Sequence, residues 1–173
     1  MKISGLSKLV GFLLVMATPV FAQIQDVQIT ANRKKVDEQK SRVGGPVTVK
    51  TKALIYQVTV QNKRFTAIPE VQVKYAIYLA DEMGGSTEKA IPVVHRGSET
   101  LTNLGPHQSV SFETKPFTLT TEELDAGYVY TTGASNRARD RVAGVWIRAY
   151  ADGKMIGEYA VPSSVAKKYD WKD

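Results

Sequence analysis

His95 and His107 are the side chains best suited by type to acid–base or metal chemistry in this chain of 173 residues. Neither stands at His-x-x-x-His spacing or beside a cysteine, so neither reads as part of a zinc site. His107 follows Gly105-Pro106 and reads as a solvated turn residue, and His95 as a half-exposed strand residue. Asp81-Glu82 and Glu122-Glu123 are the carboxylate pairs a glycosidase would draw on, and both have a simpler role as solubilising charge. "YADGKM" holds one acid, where a calcium loop needs alternating oxygen ligands. The chain has no Gly-x-Ser-x-Gly elbow, P-loop or dinucleotide fingerprint. The expectation is a protein that is not an enzyme, with no catalytic residue, cofactor or metal.

The remaining candidates are binding residues. Arg137, Arg139 and Arg141 cluster in "SNRARDRV", either as a solvated loop or as a contact for acidic glycans, envelope phosphates or a partner's carboxylates. Trp146, Arg148 and Tyr150 recur at every second position of "GVWIRAY". In a strand they would form one flat aromatic and cationic stripe.

Period-two alternation runs through the chain after its first residues and predicts an all-β fold. It predicts strands at about Asp26–Val36, Val47–Asn62, Val71–Ala80, Ile91–Leu104, Ser109–Leu119, Val142–Ala151 and Met155–Val161, with a possible short strand at Tyr128–Thr132. Gly44-Gly45-Pro46, Ala67-Ile68-Pro69, Met83-Gly84-Gly85-Ser86, Gly105-Pro106 and Asp152-Gly153 supply the turn chemistry between them. This spacing predicts a two-sheet antiparallel sandwich. "TTEELDAG" carries capping-box spacing and predicts one helical turn. "VDEQKSRVGG" predicts a mobile connection, and "SSVAKKYDWKD" a short terminal helix whose Val165, Tyr169 and Trp171 pack down. Pro92 and Pro116 mark edge segments. "ALIYQVTVQN" and "GVWIRAY" read as central strands, the first with Leu54, Tyr56, Val58 and Val60 in the core.

Lys2 and Lys8 precede an apolar run from Leu9 to Ala17, then Pro19 and Val20-Phe21-Ala22, the pattern of a signal peptide cleaved after Ala22. The run is too short to span a bilayer, and no cysteine follows it for lipid attachment. The expected arrangement is a signal peptide over 1–22 and one β-sandwich domain over 23–173, exported to the periplasm or the cell surface, with no membrane span after cleavage. Losing Lys2 and Lys8 lowers the formal net charge from +6 to +4. That mild excess does not call for nucleic acid as a partner.

The hairpin "GVWIRAYADGKMIGEYAVPSS" allows two registers. A two-residue loop, Asp152-Gly153, would either bury Glu158 opposite Ile147 or expose a wholly aromatic face. A three-residue loop, Ala151-Asp152-Gly153, pairs Tyr150 with Lys154 and sorts the residues by polarity. Val145, Ile147, Ala149, Met155 and Tyr159 then point inward, and Trp146, Arg148 and Tyr150 outward, so the second register is expected. The outward stripe is then covered either by the C-terminal tail or by a partner, a protein subunit or a sugar ring.

This hairpin, with the later "YDW" and the earlier "LTNLGPHQSVSFETKPFTL", resembles small exported immunoglobulin-like proteins of verrucomicrobial gut bacteria, some encoded beside type IV pilus-like assembly genes. The resemblance covers most of the mature chain and rests on strand pattern and the C-terminal hairpin. It implies an immunoglobulin-like or fibronectin-III-like sandwich with no enzyme activity, placed at the cell envelope, as an accessory or self-associating component of surface fibres. It carries over no functional residue, because the family has no site motif to match. The expected role is a non-catalytic interaction protein with a protein partner or a second copy of itself, and a carbohydrate-binding module is the alternative.

Overall fold

A computed structural model of the chain describes residues 25–42, 44–82 and 91–171. The expected signal peptide and the Met83–Ser86 turn lie outside the described residues. No helix among the described residues is long and apolar enough to cross a membrane.

The alternating residues fold as two antiparallel sheets packed face to face. The strands are β1 (Val27–Arg42), β2 (Val47–Asn62), β3 (Ile68–Asp81), β4 (Ile91–Leu104), β5 (Ser109–Glu113), β6 (Phe117–Leu124), β7 (Arg137–Arg139), β8 (Arg141–Ala151) and β9 (Lys154–Val161). One short helix, α1 (Val165–Lys168), follows. Sheet A runs β1-β2-β6-β7, with β5 also on β2, and sheet B runs β4-β3-β8-β9. Pro92 therefore lies on an edge strand, and "ALIYQVTVQN" and "GVWIRAY" lie in central strands. Leu54, Tyr56, Val58 and Val60 of β2 are buried and share one core with Val73, Ile77, Val145 and Ile147 of sheet B.

Several local expectations give way to pairing. "VDEQKSR" is not a mobile connection. It is the far half of β1, paired with β2 as far as Arg42 opposite Thr48, with a bulge between Lys35 and Asp37. Its charges are carried by cross-strand partners and solvent, so the polar composition that suggested a loop costs the strand little. The expected strand Ser109–Leu119 is interrupted around Pro116, which has no N–H to offer. At the break Thr114 takes over both ladder bonds of Tyr56: its N–H donates to the Tyr56 carbonyl at 2.9 Å, and its Oγ1 accepts from the Tyr56 N–H at 2.9 Å.

The chain then resumes as β6 and continues to Leu124, so the capping-box pattern in "TTEELDAG" forms no helix. Pairing with β2 on one side and β7 on the other outweighs a local cap worth about 1 kcal/mol. Gly127 still punctuates the segment, with a φ of 93° in the turn after Asp125. Tyr128–Thr132 forms no strand, whereas the arginine cluster supplies one, β7.

The hairpin takes the two-residue loop after all. Asp152 and Gly153 have φ values of 50° and 73°, as a type I′ turn requires, and Ala151 pairs with Lys154. The misplaced polarity expected of that loop is relieved one residue later. Tyr150 pairs with Met155 but Ala149 with Gly157, so Ile156 is a bulged extra residue. Beyond it Arg148 opposes Glu158 and Ile147 opposes Tyr159. The bulge also reverses one inward assignment: Ile156 joins the core and Met155 is exposed.

Candidate interaction surfaces

Two surfaces come from the residues singled out by sequence, and they differ in what covers them. The first is the outer face of sheet B, where Ala76 and Tyr78 of β3 lie beside Gly144, Trp146 and Arg148 of β8. An apolar strip of this kind needs cover, and the chain's own tail supplies it. Val165 seats on Gly144, where an added Cβ would come within 2.0 Å of its Cγ2. Tyr169 stacks on Tyr78 at 4.1 Å between centroids, and Trp171 meets Trp146 edge-on at 5.2 Å.

Arg148 is the polar centre of this small second core. Its guanidinium lies 4.4 Å from the Trp146 ring and 4.7 Å from the Trp171 ring. Glu158 Oε1 accepts from Arg148 Nε at 2.8 Å and from Trp146 Nε1 at 2.9 Å. One carboxylate oxygen thus serves both donors that the aromatic packing half-buries. The Tyr78 hydroxyl is buried without a hydrogen-bond partner among the described residues, and burial pushes its pKa up. Trp146 is 4% exposed. Tyr150 stays nearer solvent, under Lys74 Nζ at 5.5 Å, beside an open groove of about 450 Å³ between Glu70, Gln72, Asp152 and Gly153.

The second surface belongs to sheet A. Its fully buried core positions end at Leu54 and Phe117, with Leu119 packed partly buried against them, yet β1, β2 and β6 run on to Arg42, Val47 and Leu124, with β7 alongside. In this projecting half β1 is exposed at every position from Asn32 to Arg42, and β2 is only partly buried from Val47 to Ala53. We call it the blade.

Register fixes what the blade shows on the side continuous with the core. Lys40 lies directly opposite Lys50, Lys50 opposite Thr121, and Thr121 opposite Arg139, which places three cations and a hydroxyl in one row. The next row toward the tip carries Arg42, Thr48, Glu123 and Arg137. Asp125 clamps the tip, accepting from Arg42 Nη2 at 2.7 Å and Thr48 Oγ1 at 3.0 Å while its N–H donates to the Pro46 carbonyl at 2.7 Å.

Where the blade leaves the sandwich, Arg33, Arg139 and Arg141 border a groove of about 330 Å³ with Glu82, Leu119 and Asp140. The acids there are committed. Glu82 accepts from the Arg139 N–H at 3.2 Å and lies 3.6 Å from Arg141 Nη2. Asp140 accepts from the N–H groups of Glu82 and Thr120 at 3.1 and 2.7 Å. Asp81 next to them is held above the usual carboxylate range by burial and by the neighbouring Asp140 carboxyl.

The structure therefore separates the sequence candidates. Trp146, Arg148 and Tyr150 share the outer face of sheet B, the first two beneath the tail. Arg137 and Arg139 lie on the blade, and Arg141 at its root. Lys40, Lys50 and Arg33 were missed, although "KSR" and "KTK" hold basic residues at the two-residue spacing that shares a strand face. Reading "VDEQKSRVGG" as a loop hid that signal. His95 lies 6.1 Å from the Phe117 ring, and His107 packs at 4.9 Å against the edge of an exposed Phe65. Among the described residues no group of three or more His, Cys, Asp or Glu could hold a metal.

No protein-family model matches the chain, and no curated protein is similar to it in sequence. Among solved structures, a Bordetella pertussis protein assigned as ApaA matches with a TM-score of 0.40 and 12% identity over 80% of this chain and 94% of its own. A structural-genomics target matches with a TM-score of 0.40 and 7% identity over 86% and 96% of the two chains. A protein from the verrucomicrobe Akkermansia muciniphila matches with a TM-score of 0.34 and 10% identity over 85% and 77%. Similarity at this level identifies neither a ligand nor a mechanism.

Proposed function

We propose that the protein is a non-catalytic interaction protein of the cell envelope, exported by its N-terminal segment, that engages its partner through the blade of sheet A. The observation that carries this reading is the unequal length of the two sheets. The fully buried positions of the shared core on β2 and β6 end at Leu54 and Phe117, and beyond Leu119, which packs partly buried against it, these strands add little to that core. A hairpin extension with so little buried area costs backbone ordering without returning hydrophobic stabilisation, so a role in contact accounts for it better than folding does.

Photo-crosslinking in the source cells tests it. A photoreactive residue at Gln39 or Thr121 should give discrete adducts, and one at Lys167 on α1 should not. Adducts from Lys167 and none from the blade would overturn the reading.

The self-associating version of this role, as an accessory of pilus-like fibres, would use the edge of β1, a 16-residue strand whose start is tied to β9 and whose far half is not. Its bulge and its run of mixed charges are devices that discourage strand addition. A mass that stays monomeric across concentration in light scattering would remove that version. A carbohydrate-binding role on the Trp146 face requires Tyr169 and Trp171 to leave it, so the tail stands against that alternative.

A further inference from the structure

We infer that the inner face of the blade binds an acidic polysaccharide chain, whose carboxylate or sulfate groups pair with Lys40, Lys50 and Arg139 and, at the root of the blade, with Arg33. The inference rests on the blade being a contact surface and names the chemistry of its partner.

Three observations carry it. The first is the row itself. Lys40, Lys50, Thr121 and Arg139 are consecutive across four strands, a span of about 14 Å with no acid between them. Like charges directly opposite on paired strands destabilise the pairing, so Lys40 against Lys50 is a cost that folding does not require. The second is how the nearest acids are used. Glu38 is engaged by Lys35 at 2.8 Å and Lys52 at 3.7 Å, Asp125 is held in the tip clamp, and Glu123, one row nearer the tip on the same face, stands between Thr48 and Arg137. The acids at the root serve Arg141 and backbone N–H groups, which leaves the positive potential of the Lys40–Arg139 row uncompensated from within the row.

The third observation concerns what the face lacks. From Lys50 to the tip, the inward positions of β2 and β6 are Lys50, Thr48, Thr121 and Glu123, with no aromatic or large aliphatic anchor; the nearest, Leu119 opposite Lys52, packs against the core. Protein interfaces concentrate their energy in such anchors and are depleted in lysine. Single-stranded nucleic acid would be expected to find aromatic stacking platforms. A hydrated chain carrying repeated negative charge and many hydroxyls needs neither. It is held by cations spread over a flat surface and by hydroxyls such as those of Thr48 and Thr121.

The test uses the mature protein in affinity electrophoresis against polygalacturonate and dextran sulfate, with neutral dextran as the blank. Retardation is expected in the two acidic polymers and none in dextran. Changing Lys40, Lys50 and Arg139 together to Gln should weaken binding about tenfold, since three exposed ion pairs at the modest worth of such pairs sum to that factor. Changing Lys63, Lys154 and Lys167 to Gln removes the same net charge elsewhere and should leave binding nearly unchanged.

A single Lys50→Glu change separates binding from folding. It replaces a like-charge pair with an opposite one, so thermal stability should hold or rise while affinity falls. Equal losses in the two triple variants, no retardation in either acidic polymer, or preferential binding to polyglutamate or anionic phospholipid vesicles would overturn the inference. If blade crosslinks persist in cells while acidic polymers are not bound, the contact role stands and only the polysaccharide assignment falls.

Discussion

The outer face of sheet B and the blade of sheet A are both sheet surfaces beyond the main core, and the chain treats them in opposite ways. On sheet B the exposed row would be Ala76, Tyr78 and Trp146, and α1 with the residues after it closes over them. On the blade the corresponding row is lysine, threonine and arginine, and β1 there is exposed throughout. The difference shows where sequence has been used for stability and where it has not. An apolar face that must not meet water is given its own cover, whereas a charged face is left accessible. Changes to the first should therefore move global stability, and changes to the second should act locally.

The largest effect should come from ending the chain after Ser164. This removes Val165, Tyr169 and Trp171 and leaves Tyr78 and Trp146 uncovered. Losing the burial of Val165 and most of the cover on two aromatic rings should cost about 3 kcal/mol, read as a lower urea midpoint. The emission of the remaining Trp146 should shift to the red. An unchanged midpoint would mean that the tail decorates the face without holding it. Gly144→Val should act in the same direction in the full chain, because its Cβ enters the space of Val165.

Next in size is Glu158→Ala. It strands the Trp146 indole N–H and the Arg148 guanidinium, whose side chain is 22% exposed, next to two rings. Removing the acceptor from partly buried donors, one of them charged, should cost about 2 kcal/mol. Glu158→Gln keeps one acceptor oxygen and should lose about half as much. Equal losses would show that the charge, and not the shared hydrogen bonds, organises the second core.

The blade should respond more weakly. Asp125→Ala removes the acceptor for Arg42 and Thr48 at the tip and should cost about 0.5 kcal/mol, the range of exposed pairs. Hydrogen exchange should quicken in residues 38–42 and 47–51 and stay unchanged in β3 and β8. Faster exchange throughout sheet A would mean that the blade and the sandwich unfold as one unit, which would weaken the contrast between the two regions.

These contrasts also explain what was legible in the sequence. Alternation with full burial on one side, as in Leu54 to Val60, identified the central strands and the sandwich directly. Trp146 and Arg148 were correctly placed on the outer face of β8, even though the loop length was not. Two wrong local steps, the turn and the unforeseen bulge at Ile156, cancel in their effect on that face. The blade was legible in β2, expected over its full length from Val47 to Asn62, and hidden in the far half of β1, which is exposed at every position. With no apolar alternation to read, "VDEQKSR" has the composition of a loop, and only its backbone pairing with β2 makes it a strand. "TTEEL" failed for the opposite reason: a genuine local helix signal was overruled by two neighbouring strands. The tail was visible as Val165, Tyr169 and Trp171, but what it covers depends on Gly144, whose missing side chain no periodicity reveals.

The smallest effect separates an ion pair just before β1 from one midway along it. Asp26 pairs with Arg64 beside the point where its N–H donates to Ile156 and joins β1 to β9. The Arg64 guanidinium holds the Asp26 carboxyl below its ordinary value of 3.8, mainly by hydrogen bonding. A carboxyl whose pKa is lower in the folded state contributes stability that is complete above its ordinary pKa and is lost as pH falls through the lowered one. The contribution should therefore fade below about pH 4, and with both side chains part-exposed it should amount to about 0.3 kcal/mol. Asp26→Asn should flatten that part of the acid limb in a series of urea midpoints. Glu38 on the blade is likewise held low by Lys35, but in full solvent, where salt and water screen the pair. Glu38→Gln should leave the acid limb unchanged, because a charge on the blade has no packed neighbour through which its titration could reach the core.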